Sequence, residues 1–227
     1  MTKVLTTATA ALAAVAITLA GCSTSTKTGS GPSSAPPSPG SSSATTSSRP
    51  NIAGPNKTIN DYITENNIAE TPFKPNEPGT PEFDFPFPPG WSSAGDKTPA
   101  WAYGAIVYDK PADPSDPPTM IAIASKLTGK VDPAMILKYA PGQLENLPDF
   151  KPLGEPEKSS LSGFEAIQSA GTYTYNGKAR VVAQKTVIIP GKDALFVLQL
   201  NADALQGQEQ VVIDAADVIE AQTKITA

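Results

Sequence analysis

The 227-residue chain has a formal net charge of −5, one cysteine and no histidine. The acidic balance argues against binding to nucleic acid and against electrostatic attachment to anionic lipid head groups. The missing histidine removes the commonest general base and the commonest zinc ligand, and the single cysteine excludes an intramolecular disulfide.

The first 22 residues have the pattern of a bacterial lipoprotein export signal. Lys3 precedes an uncharged run rich in Ala, Leu and Val, which ends in the tetrapeptide LAGC at 19–22. A basic start, a short apolar run and small residues before a cleavage point are typical of a secretory signal. We therefore predict a signal peptide over 1–21. Cys22 would carry diacylglyceryl and N-acyl groups, and two acyl chains are enough for stable anchoring in a membrane.

Residues 22–51 have the composition of a tether. Of the 28 residues from 23 to 50, 16 are Ser or Thr, and none is a large apolar residue that could contribute to a core. A flexible coil of this length has an r.m.s. span of about 30 Å. The periodic apolar residues return after it, and residues 52–227 are predicted to form a single α+β domain.

The first half of this domain combines one helix with strands. Thr58 as N-cap and Asp61 three residues later predict a short helix. Alternating Phe residues at 83–87 predict a short strand, and the Pro-Pro-Gly turn after it places Trp91. Two further strands are predicted at 101–108 and 119–127.

The second half gives the clearest β pattern. Asp132 and Pro133 predict the start of a helix. Asn176-Gly177 predicts a type I′ hairpin turn between two long strands. The remaining predicted segments are the two strands of the hairpin, a central strand and a final helix, at 164–175, 178–189, 194–200 and 208–222. The whole pattern indicates an α+β fold in which helices pack on the faces of an antiparallel sheet.

Candidate nucleophiles do not combine into a catalytic pair. Ser125 and Lys126 are neighbours on a predicted strand, so their side chains point to opposite faces. Ser159 and Ser160 follow Lys158 in a predicted turn. We therefore predict no enzyme activity, and no Ser-Lys hydrolase in particular.

Three groups of carboxylates are candidates for acid–base or metal chemistry. Their members are Glu155 and Glu157; Asp214, Asp217 and Glu220; and Asp109, Asp113 and Asp116. The first two groups match solvated faces better than a catalytic pair. The third lies in a Pro-rich loop without the Gly that calcium loops use. We predict no metal and no cofactor.

Aromatic residues cluster in the first half of the domain and could line a groove for a lipid or a sugar. Phe85, Trp91 and Trp101 are the predicted ligand-binding residues. The alternative is that these rings form the core at the edge of the sheet.

Four segments carry a resemblance to a known family. Residues 56–63, the Phe-Pro-rich segment before Trp91, residues 108–129 and the run VAQKTVIIPGKDALFVLQLNADAL at 182–205 are similar to the mycobacterial LpqN/LpqT lipoproteins. The resemblance covers the LAGC tetrapeptide at 19–22, which is the lipidation motif of lipoproteins, and the folded domain. It implies a Mog1/PsbP-like α/β sandwich in a mycobacterial envelope, and a domain that works by binding. The family brings no catalytic motif.

Two functions follow as hypotheses. The first is a lipid-anchored, non-catalytic accessory or carrier protein that binds an amphipathic envelope molecule, such as a trehalose-type glycolipid, or helps an envelope transport protein to handle it. The alternative is a protein–protein interaction module with no small ligand. Both hypotheses place the protein on the outer face of the cytoplasmic membrane, with release of part of the protein from the membrane as a further option. Neither hypothesis involves nucleic acid.

Overall fold

The computed structural model describes residues 52–227, and the predicted signal peptide, Cys22 and the tether to residue 51 lie outside the described residues. Four α-helices lie within the described range: α1 Ile59–Glu65, α2 Pro133–Tyr139, α3 Gly142–Glu145 and α4 Glu209–Gln222. The strands up to the second helix are β1 Ala69–Pro72, β2 Glu82–Asp84, β3 Trp91–Ser93, β4 Gly104–Tyr108 and β5 Thr119–Thr128. The later strands are β6 Lys151–Pro152, β7 Glu157–Leu161, β8 Phe164–Tyr175, β9 Lys178–Pro190, β10 Leu195–Leu205 and β11 Lys224–Thr226.

The main sheet is antiparallel throughout. Its strand order is β3-β4-β5-β10-β9-β8-β6, while β1 shares an edge of β5 with β4 and β7 shares an edge of β8 with β6. Asn176 (φ 50°) and Gly177 (φ 73°) form the turn of the β8–β9 hairpin. Two successive positive φ angles are the requirement of a type I′ turn. The predicted α+β fold class and the hairpin turn are therefore confirmed.

One face of the sheet is covered by the first two helices, and we call it the helix face. Thr58 caps α1 through a capping box with Asp61, which satisfies main-chain N–H groups at the start of the helix. The buried residues that pack between these helices and the sheet are Ile59, Tyr62, Ile63, Leu127, Ile136, Ile188, Leu195 and Val197.

The opposite face carries α4 at one end and a two-stranded ribbon of β2 and β11 at the other. We call it the groove face. Val212 and Ala215 of α4 pack on Met120 and Ala202. Phe83 and Ile225 of the ribbon belong to the cluster of Phe73, Phe196 and Leu198. Side chains alternate between the two faces along each strand, so the apolar first four residues of β10 contribute to the clusters on both faces.

Three local predictions were wrong. The strand predicted at 83–87 ends at Asp84, since pairing with the unpredicted β11 covers only three residues. The strand predicted from residue 101 begins at Gly104, because Trp101 lies in a turn closed by the bond from Ala102 N–H to the Pro99 carbonyl. Ser159 and Ser160 lie in β7 rather than in a turn.

The Pro-rich loop between β4 and β5 is attached to the helix face by ion pairs. The Arg180 guanidinium binds Asp203 and lies 2.8 Å from Asp116 Oδ2, and its side chain is only 9% exposed. Tyr173 donates its hydroxyl to Asp203. Burial, and then that hydrogen bond, raise the pKa of Tyr173 above its ordinary value. Burial alone would lower the pKa of Arg180, but its two carboxylate partners raise it, so both groups keep their protons at neutral pH.

Replacing Asp116 by Asn should lower the free energy of unfolding by about 1–3 kcal/mol at neutral pH, because a mostly buried guanidinium loses a charged acceptor. Burial tends to raise the pKa of Asp116, but hydrogen bonds from Arg180 and Lys178 outweigh it and hold the pKa below its usual range. The contribution of the Asp116 carboxylate to the free energy of unfolding should therefore be complete above its unfolded-state pKa of about 3.9. It should disappear as the pH falls through the lower pKa that Asp116 has in the folded state. Urea titrations between pH 3 and pH 7 measure this.

The matched control is Asp113→Asn, which removes a more exposed carboxylate of the same loop whose contact with Lys178 is 3.3 Å. Its effect on stability should be smaller, since exposed pairs are screened by solvent. Equal effects of the two variants, or an Asp116→Asn effect as large at pH 3 as at pH 7, would contradict the role given to Asp116.

Candidate functional site

A groove of about 880 Å³ lies on the groove face, between α4 and the β2–β11 ribbon. Its floor is the main sheet, and its walls are the side chains of these two elements. The volume is toward the upper end of the range for small-molecule sites in proteins. The groove is open to solvent along its mouth, where residues of the segment after β6 complete the lining.

The floor is low because its side chains are small. Strand register aligns two rows of side chains across five strands on this face. One row is Ile106, Met120, Ala202, Ala183 and Ala170, and the other is Gly104, Ala122, Leu200, Lys185 and Gln168. A methyl group added at Gly104 would meet nothing within 4 Å. Four Ala residues and one Gly therefore leave the space that larger side chains would fill.

One end of the groove is apolar and aromatic. Phe83 and Tyr103 pack with ring centroids 5.0 Å apart, and Phe85 lies 6.3 Å from Tyr103 in an edge-on arrangement. These rings stand above the end of the floor that Gly104 and Ile106 form. Burial raises the pKa of Tyr103, so its hydroxyl stays protonated at neutral pH.

The other end is polar. Glu157 on β7 is register partner of Gln168 on β8, and Gln168 Nε2 lies 3.5 Å from a Glu157 carboxylate oxygen. Lys185 Nζ on β9 lies 2.6 Å from Glu220 Oε2 on α4. A line of polar side chains thus crosses the sheet from β7 to α4. The groove is therefore amphipathic along its length, with four of its five lining carboxylates at the polar end and the fifth, Asp84, beside the aromatic rings.

Large exposed apolar side chains surround the mouth. Among the described residues, four large hydrophobic side chains are strongly exposed: Phe87, Leu153, Tyr175 and Ile213. Three of them, all except Tyr175, line the groove. Apolar side chains that cluster at an opening indicate a binding surface rather than scattered exposure.

The predicted ligand-binding residues separate in the structure. Phe85 lines the groove, but Trp91 and Trp101 do not. Trp91 is 6% exposed and belongs to the cluster beneath α4, where its ring lies 5.7 Å from that of Tyr108. Trp101 is half-buried in the turn before β4. The space behind Trp91 is thus filled core, and ligand binding at these positions stays a prediction. Lipidation of Cys22 also stays a prediction.

The carboxylates and nucleophiles singled out in the sequence pair with residues that do not form a catalytic or metal-binding group with them. Ser125 donates to Glu70, while Lys126 on the other face lies over the Phe196 ring. Asp109 accepts from Ser92 at 2.6 Å. Within residues 52–227 no group of three or more His, Cys, Asp or Glu side chains is arranged to hold a metal ion. Glu155, Glu157, Asp217 and Glu220 line the groove and are exposed.

Sequence reasoning missed the floor. The small residues of the floor lie at alternate positions on four strands, so each strand alone gives only an apolar pattern. The register that aligns Ala122, Ala202, Ala183 and Ala170 was available only from the strand order. Tyr103 was missed because its role depends on the ribbon, whose second strand was not predicted.

No helix among residues 52–227 is both long enough and apolar enough to cross a membrane.

Comparison with known proteins gives consistent matches over the described domain. Residues 55–226 match the family model described as "Probable lipoprotein LpqN". Lipoprotein LpqN of Mycobacterium tuberculosis (strain ATCC 25618 / H37Rv) is 54% identical over 174 residues, which are 77% of this chain and 76% of that protein.

A solved structure matches as well. It is the crystal structure of LpqN involved in cell envelope biogenesis of Mycobacterium tuberculosis, with a TM-score of 0.73 and 53% sequence identity. The match covers 77% of this chain and 100% of that chain. The identity and the TM-score together show that the two domains share a fold.

Proposed function

This chain belongs to the LpqN family of lipoproteins, and on that premise we propose that it is a lipid-anchored, non-catalytic carrier of an amphipathic cell-envelope molecule. The relative of known structure is described as involved in cell envelope biogenesis. The observation that supports a carrier most directly is the amphipathic groove, with its apolar floor and a polar line at one end. The apolar end would hold an acyl chain, and the polar end would bind the head group.

A trehalose-type glycolipid has the chemistry that this groove requires. An acyl chain can lie on the Ala-rich floor beneath Phe83 and Tyr103, where each buried methylene contributes about 0.8 kcal/mol. Sugar hydroxyls both donate and accept hydrogen bonds, so they can pair with carboxylates, Gln168 and Lys185. The exposed apolar residues at the mouth would contact the part of the chain that the groove does not cover.

The alternative, a protein-interaction module without a small ligand, rests on the same mouth. Phe87, Leu153 and Ile213 are exposed and could dock on an envelope transport protein. A flat apolar patch would favour that function alone, whereas the depth of the groove favours a ligand.

The ligand proposal is tested by filling the groove from α4. Ala216 lines the groove and is exposed, so Ala216→Phe should be tolerated by the fold while its ring occupies ligand space. Displacing two methylenes loses about 1.6 kcal/mol, so binding of dodecyl maltoside below its micelle concentration should weaken at least tenfold. Isothermal titration calorimetry on the full chain measures this.

Ala221→Phe provides the matched control, because Ala221 is an exposed residue of the same helix outside the groove lining. It should bind the detergent as the wild type does. Equally weakened dodecyl maltoside binding in both variants, or no binding of the detergent to the wild type, would contradict the carrier proposal and leave the protein-interaction module.

The location of the protein is tested separately at the anchor. We propose that Cys22 attaches the domain to the outer face of the cytoplasmic membrane. Cys22→Ala should move the protein from the membrane fraction to the soluble fraction, since the acidic chain has no electrostatic attraction to anionic lipid. Fractionation after a high-salt wash measures this, and a variant that stays with the membrane would refute anchoring through Cys22.

A further inference from the structure

The groove lining carries an excess of negative charge. The lining contains five carboxylates, those of Asp84, Glu155, Glu157, Asp217 and Glu220. Among the lining residues, which all belong to the described part of the chain, Lys185 is the single cation. A bound head group therefore meets a surplus of negative charge.

Lys185 is already neutralised by a partner. Its Nζ lies 2.6 Å from Glu220 Oε2, and its side chain is 12% exposed. The ammonium group has further N–H donors, but a phosphate bound to them would lie beside the Glu220 carboxylate, which repels it. Phosphate sites use Arg or Lys side chains directed at the anion, whereas the groove lining within residues 52–227 contains no Arg and its one Lys is already paired.

The carboxylates are concentrated at the polar end. Glu157 and Gln168 occupy β7 and β8, and Asp217 and Glu220 lie on the facing helix α4. Glu155 lies in the segment just before β7. Close to a low-dielectric floor, interactions between like charges are stronger than in bulk water. Such an arrangement discriminates between ligands by opposing one class as well as by attracting another.

We infer that the polar end of the groove selects the head group of the ligand by charge, so that uncharged or cationic amphiphiles bind and anionic ones, such as phospholipids with a net negative charge, are rejected. This inference rests on the proposed carrier function and defines its ligand class. The residues that discriminate between head groups are Glu155, Glu157 and Asp217. Lys185 and Glu220 neutralise one another as an ion pair. A protein exposed to an envelope rich in anionic lipid would thereby keep its groove available for another molecule.

The test uses three amphiphiles with the same twelve-carbon chain: dodecyl maltoside, dodecyltrimethylammonium and dodecyl phosphate. Each is titrated below its micelle concentration into the full chain at pH 7.5, with calorimetric detection. The maltoside and the ammonium compound should bind at least tenfold more tightly than the phosphate. The discrimination should shrink at 1 M salt, since exposed charges are then screened.

Two triple variants of equal net charge locate the effect. Glu155→Gln with Glu157→Gln and Asp217→Asn should bring the affinity for dodecyl phosphate to within about threefold of that for the maltoside. Glu145→Gln with Glu165→Gln and Asp193→Asn removes three exposed carboxylates outside the groove lining and should leave the discrimination unchanged.

The outcomes separate the two proposals. Binding of dodecyl phosphate to the wild type as tightly as the maltoside would overturn charge selection and leave the carrier function in place. Equal effects of the two triple variants would overturn the assignment to the groove carboxylates. Failure of all three amphiphiles to bind would overturn the carrier function and this inference with it.

Discussion

The register of the central strands is the constraint on which the groove depends. Side chains alternate between the faces of a sheet, so a slip of one residue would exchange the two faces. In β9 and β10 such a slip would replace Ala183 and Ala202 on the groove face by neighbours that include Gln184 and Asn201. The positive φ angles of Asn176 and Gly177 fix the β8–β9 pairing, and the tight connection from Pro190 to Leu195 fixes the next pair.

The two walls of the groove are parts of one segment. Helix α4 ends at Gln222 and β11 begins at Lys224, so only Thr223 separates the helical wall from the ribbon. β11 is in turn paired with β2, which leads directly to Phe85. Val212 and Ala215 hold the helix to the sheet, and Ile225 holds the ribbon. A change in the position of α4 would therefore move both walls together, while the floor remains in the main sheet.

Much of the fold was predictable, because local chemistry specified it. The capping residues of α1, the Asp-Pro start of α2, the hairpin turn and the apolar run of β10 each carry a mechanism that acts within a few residues. The site was less predictable, because it depends on contacts between distant segments. Trp91 looked like a binding residue from sequence, but α4 covers it, and Tyr103 became a wall residue only through the ribbon. Phe85 alone among the predicted ligand residues lines the groove.

The proposed carrier function requires an acyl chain to lie on the Ala-rich floor. The most direct measurement is paramagnetic broadening of backbone amide signals by an uncharged alkyl glycoside with a nitroxide at the end of its chain. The account predicts strong broadening for Gly104, Ile106 and Ala122 at the apolar end of the groove. The amides of α1 and α2, on the opposite face of the sheet, should keep their intensity. Broadening centred on the helix face, or confined to Tyr175 at the exposed hairpin tip, would contradict it.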